Sequence, residues 1–202
     1  MAAPRAQARN PWLPPLAAEP LTIPVEAPRE RSAGPGSPQR GVPAPDTADQ
    51  LPLRDVPAGS TLWVVGAHGG AGETTVAALH DQWLPAGRSW PRRSDGAPVC
   101  AVLVCRSHHA GLRAAQKAIV QWASGLTPGL QLVGLVVLPD APGKLPRELR
   151  DLIRLLQGGV PRVWELPWVP EWRIHPCGDY VPGRVAQVVT QLEAAARASD
   201  KQ

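Results

Sequence analysis

The sequence predicts an α/β fold: a three-layer, doubly wound, mostly parallel sheet behind a disordered N-terminal arm. Three observations predict it. Residues 60–198 alternate short apolar runs with segments of helical period, four times over. The apolar runs are continuous rather than alternating, as in strands covered on both faces. The composition also breaks near residue 58, because thirteen of the 25 prolines fall in residues 1–57. That block has few bulky apolar residues and no period of 2 or 3.6, so it cannot bury enough surface to offset its ordering entropy. It reads as a Pro/Ala-rich arm over 1–57, in front of one domain over 58–202.

Each element has its own signal. TLWVV (61–65) is a short apolar run closed by glycine, hence a buried strand. TTVAALHDQWL (74–84) places Val76, Leu79, His80 and Trp83 at helical spacing. GRSWPRRSDGAP (87–98) is full of breakers and reads as a polar loop. VCAVLVC (99–105) is a second strand, and residues 110–124 put Leu112, Ala115, Ile119 and Trp122 on one helical face. LQLVGLVVL (130–138) is strand-like. Residues 146–159 have Pro146 at a first helical position, a stripe of Leu149, Leu152, Ile153 and Leu156, and Gly158 as a stop. VPRVWEL (160–166) is the fourth strand, and residues 183–198 turn Val185, Val188, Val189, Leu192 and Ala196 inward. In such folds the ligand site lies beyond the carboxyl ends of the strands. The exits GAHGGAGE, RSHHAG and PWVPEW would meet there, with PDAPGK (139–144) as a fourth candidate.

Composition sets the class. The net charge is +4, carried mostly by arginine, since Lys117, Lys144 and Lys201 are the lysines. Ala, Pro, Gly, Arg and Val are abundant, which agrees with a GC-rich genome such as that of an actinobacterium; a nucleic-acid surface would need a clustered stripe. Eight tryptophans, one tyrosine and no phenylalanine mean that tryptophan fills the large core positions. Cys100, Cys105 and Cys177 make no even disulfide framework and suit a reducing cytoplasm. The start MAAPRAQARNPW has no apolar signal region, and no apolar run reaches 18 residues, so a membrane span is not expected.

Chemistry concentrates at GAHGGAGETT (66–75). A phosphate-binding loop works because glycines let successive N–H groups curl around an anion while the following helix adds its positive end. Here the stretch follows a strand and opens a helix, the context that motif needs. Gly69, Gly70 and Gly72 are in place, and Thr74 stands where a hydroxyl would meet Mg²⁺.

The stretch resembles the deviant phosphate loop of the ParA/MinD partition ATPases, K-G-G-x-G-K-[ST]. The candidate binding residues are therefore His68, Gly69, Gly70, Ala71, Gly72, Glu73, Thr74 and Thr75. Residues 102–119, 132–140 and 164–172 resemble later strands and helices of that family more loosely, so the resemblance covers 60–198. It implies a reduced P-loop NTPase-like fold, ATP with Mg²⁺ as cofactors, a homodimer, and a role in bacterial plasmid or mobile-element maintenance. Both family lysines are replaced, the first by His68 and the second by Glu73. The family's water- and Mg²⁺-handling aspartates have no counterpart between the first helix and residue 99, where Asp95 sits in a polar loop. VVLPD also lacks the asparagine that reads adenine. A carboxylate about 4 Å from a phosphate costs roughly 4 kcal/mol at an effective dielectric near 20, some two to three powers of ten in affinity. The expectation is a non-hydrolysing binding or scaffold protein with a protein partner. Glu73 would accept bonds from the loop's own N–H groups or pair with His68. The alternatives are an NTPase whose missing cation comes from a partner or from Arg106, and a small-anion binder using the same glycines.

Other constellations are weaker. His68, Cys105, His108, His109, His175 and Cys177 include soft metal ligands, but without Cys-x-x-Cys or His-x-x-x-His spacing; loop-capping histidines are the alternative. A Cys–His nucleophile pair would lack a nameable orienting acid. Arg88, Arg92 and Arg93 form a basic loop that would meet DNA or an acidic partner, or simply water. The last helix has a polar face of Gln187, Gln191 and Glu193, which is not basic and suits core packing better than a membrane surface. Trp168 and Trp172 near the ligand edge offer a partner surface or stacking platform, against packing on neighbouring loops.

Overall fold

A computed structural model describes residues 34–199. In chain order the elements are β1 (Leu53–Asp55), β2 (Leu62–Gly66), α1 (Glu73–Ala77), β3 (Trp83–Gly87), β4 (Trp90–Arg92), β5 (Val99–Arg106), α2 (His109–Ala123), β6 (Leu130–Leu138), α3 (Arg147–Gln157), β7 (Val163–Glu165) and α4 (Gly183–Ser199). The main sheet has five strands in the order β3-β2-β5-β6-β7, and every neighbouring pair is parallel. Burial on both faces explains the unbroken apolar runs. Along β2, Trp63 and Val65 enter one core with Leu112, Ile119 and Trp122 of α2 and Ile153 and Leu156 of α3. Leu62 and Val64 enter the opposite core with Val76 of α1 and Val185, Leu192 and Ala196 of α4. The expected three layers are therefore present.

The chain leaves β2 towards β3 on one side and resumes in β5 on the other. That reversal makes the β2/β5 boundary the topological switch point, where open parallel sheets hold ligands. The exits of β2 and β5 flank this boundary.

Three expectations are corrected. The first helix ends at Ala77 rather than near residue 84, and Trp83–Gly87 forms an edge strand. Pro85 disfavours helical backbone at Leu84 and cannot continue a helix, whereas an edge strand tolerates its missing N–H. The segment 87–98 is not all loop: it contains β4, and Trp90 is fully buried. Within the expected arm, residues 1–33 lie outside the described residues, but 34–57 pack on the domain. There β1 pairs in parallel with β4, and Leu51 and Val56 are buried in the α2-side core.

One polar group explains that docking. Gln121 of α2 is buried, and its Oε1 accepts from the Leu51 peptide N–H at 2.8 Å and from Trp90 Nε1–H at 2.9 Å. Its Nε2 donates to Leu51 O at 2.9 Å. A buried amide needs such partners, because each one left unmet costs about 1–3 kcal/mol. Exposed ion pairs, Lys117–Asp49 and Arg92–Asp55, border the same seam. Among the described residues no helix is long and apolar enough to cross a membrane.

Candidate functional site

Four strand exits meet in a cleft of about 560 Å³ at the switch point. The exit of β2 supplies His68, Gly69 and Gly70, and that of β5 supplies Arg106 and His108. The exit of β6 adds Leu138–Pro142, and the segment after β7 adds Trp168, Trp172 and Arg173. A second cavity of about 370 Å³ adjoins it, sharing His108, Asp140, Pro142 and Trp168 and running on to Leu145, Leu149 and Ile153.

His68 fixes the loop. Its Nδ1 lies 2.9 Å from Gly69 O, and its Nε2 lies 3.1 Å from the Arg106 peptide nitrogen. The peptide N–H must donate, so Nε2 accepts and the proton sits on Nδ1, which donates to the Gly69 carbonyl. His68 thus latches the β2 exit to the β5 exit across the switch point. Gly111 makes room for it: a methyl there would lie 2.8 Å from His68 Nε2 and 2.6 Å from Arg106 O. His108 is the N-cap of α2, its Nδ1 accepting from the Gly111 N–H, and its ring stands 5.1 Å from that of His68. These are loop-capping histidines. With both ring nitrogens of His68 occupied, and no group of three His, Cys, Asp or Glu placed to hold a metal among the described residues, the metal constellation is not assembled. Cys105 is no nucleophile either: burial pushes its thiol from 9.0 up to about 12.

The eight loop residues divide. His68, Gly69, Gly70 and Thr75 line the cleft. Ala71 and Gly72 are buried beneath it. Gly72 has φ +100°, and a Cβ there would lie 2.7 Å from Leu138 Cδ2, so it supplies both a left-handed turn and a close approach to β6. Thr74 is exposed and lies outside the cleft wall. Glu73 is turned under the loop: its Oε2 would stand 3.0 Å from a methyl on Gly66, so that glycine makes space for the carboxylate. Among the described residues Glu73 accepts no hydrogen bond from the loop and forms no pair with His68. The expected self-liganded loop is thereby corrected, because latch bonds occupy the histidine and the carboxylate lies against Gly66, outside the cleft lining.

Arg106 carries the positive charge at the loop instead. Its Nη1 donates to Pro139 O at 2.9 Å and its Nε to Gly70 O at 3.4 Å. The guanidinium therefore bridges the β2 and β6 exits beside the glycines. Arg173 and Asp140 are the cleft residues that the sequence gives least reason to single out; the arginine directly follows the Trp172 exit stretch, which was the available signal. Two of the three arginines of the basic loop are paired, Arg92 with Asp55 and Arg93 with Asp95, while Arg88 is exposed. The Arg93 guanidinium and then the Ala97 N–H hold the Asp95 carboxyl well below its usual range. Trp172 donates to Tyr180 O at 2.8 Å and packs on the α4-side core, so packing accounts for it. Trp168 stays half-buried between the two cavities.

Fold and site define a parallel α/β protein with a glycine loop latched by histidine at its switch point. The chain belongs to a family of unknown function (DUF6668), which it matches over residues 60–189, from the start of β2 into α4. No curated protein and no solved structure matches it.

Proposed function

We propose that the chain is a ParA/MinD-like P-loop protein that has lost nucleotide hydrolysis and works as a binding or scaffold protein in the cytoplasm. The resemblance to the partition ATPases supports a setting in plasmid or mobile-element maintenance, with a protein partner. The observation that carries the reading is the disposition of positions 73 and 74. The side chain where a lysine would meet phosphates is a carboxylate folded against Gly66, and the hydroxyl that would meet Mg²⁺ is outside the cleft. The following helix has five residues, so its dipole adds little to anion binding. Phosphoryl transfer depends on positioned charge, and three of its usual sources are reduced together.

Arg106 favours a second reading, an atypical NTPase that takes its missing cation from its own β5 arginine rather than from a partner. One assay separates the two. Phosphate release from Mg·ATP and Mg·GTP is followed with the full chain and with Arg106→Gln. The binding-protein reading expects no release above buffer from either; release that Arg106→Gln abolishes would replace it with the second.

A further inference from the structure

We infer that the switch-point cleft binds a dianionic phosphate group, either free phosphate or a phosphomonoester, with Arg106 and Arg173 as its cations in place of the loop lysine. This deepens the binding-protein reading and rests on it. Three observations carry it. First, Arg106 is fixed by two carbonyls from different strand exits, which spend two of its five N–H donors. The other three have no acceptor among the described residues, so a pre-aimed guanidinium edge is left for a ligand. Second, the peptide N–H groups of Gly69 and Gly70 in the same wall also lack an acceptor among the described residues. Third, the charges match. Arg106 and Arg173 line the cleft together with one carboxylate, Asp140, and Glu73 is outside that lining. Two guanidinium groups suit the two charges of a phosphate monoester, without the further cations a triphosphate needs. Trp168, half-buried and lining both the cleft and the smaller cavity, offers its ring to the organic part of a monoester.

The test is calorimetric titration of the full chain, at low salt and without Mg²⁺, with inorganic phosphate and with phenyl phosphate as probes. Wild type is expected to bind both. Arg173→Gln, on an exposed side chain, and Arg106→Gln should each weaken binding at least tenfold. Arg106→Lys keeps the charge but loses the fork, and should fall between, with circular dichroism confirming that each variant is folded. A phosphomonoester ligand is indicated if phenyl phosphate binds several-fold tighter than phosphate and Trp168→Leu removes that gain; equal affinities indicate free phosphate. The inference is overturned if wild type binds neither probe, or if folded Arg106→Gln and Arg173→Gln bind as wild type does. The broader reading fails on a different result, turnover of Mg·ATP, so the two failures are distinguishable.

Discussion

At position 111 two preferences oppose each other. Glycine inside a helix costs about 1 kcal/mol relative to alanine, yet α2 carries one near its start. A methyl there would stand 2.6 Å from Arg106 O, a backbone atom that cannot move freely, and 2.8 Å from His68 Nε2. Overpacking of this kind costs about 1–3 kcal/mol. Gly111→Ala is therefore expected to lower stability, by up to about 2 kcal/mol in urea unfolding, against the propensity trend, and to weaken phosphate binding by loosening the latch. Cys105 gives a second test. Burial raises its thiol from 9.0 to about 12, so the folded state keeps a proton that the unfolded chain releases. That contribution to stability is complete below pH 9 and is lost as pH rises from 9 towards 12. At pH 8 Cys105 should resist a thiol reagent in the folded chain and react after denaturation, while the half-buried Cys100 and Cys177 react first. At this scale the glycines of the loop, and His68 and Glu73 among them, were legible in the sequence. The direction of Glu73 was not, because it depends on the space left by Gly66, seven residues earlier.

At the scale of elements, what the sequence revealed tracks burial. The strands β2, β5 and β6 are continuous apolar runs, and α2, α3 and α4 carry clear stripes; all six lie within a few residues of the expected spans. The elements that escaped are short and conditional. Trp83 belongs to a helical stripe by spacing, and Pro85 two residues later overrides it with an edge strand. β1 and β4 are three residues each and pair only with each other, so neither has a periodicity to read. Their anchor is long-range: Gln121 lies 70 residues from Leu51 and 31 from Trp90. Gln121→Ala is expected to strand three buried partners and to cost about 2–5 kcal/mol in unfolding free energy. It should also release the β1–β4 ribbon, read as faster hydrogen exchange at Val56, whose N–H donates to Arg92 O.

For the whole molecule, the folded unit begins before residue 58. Leu51 and Val56 are buried in the α2-side core, and burying such a side chain fully contributes about 1.5–3 kcal/mol. Deleting residues 1–57 should then lower the melting temperature by roughly 10 °C, at about 2–4 °C per kcal/mol for a chain of this size. The alternation of strand and helix made the sheet and the converging exits legible, but compositional bias hid a docked segment within the proline-rich block. In the proposed function the loop lacks the cation that would hold a nucleoside triphosphate. Calorimetric titration of Mg·ATP into wild type and Glu73→Lys tests it most directly. Wild type should bind more weakly than about 1 mM, and the lysine variant at least tenfold more tightly. Micromolar binding by wild type, left unimproved by the lysine, would contradict it.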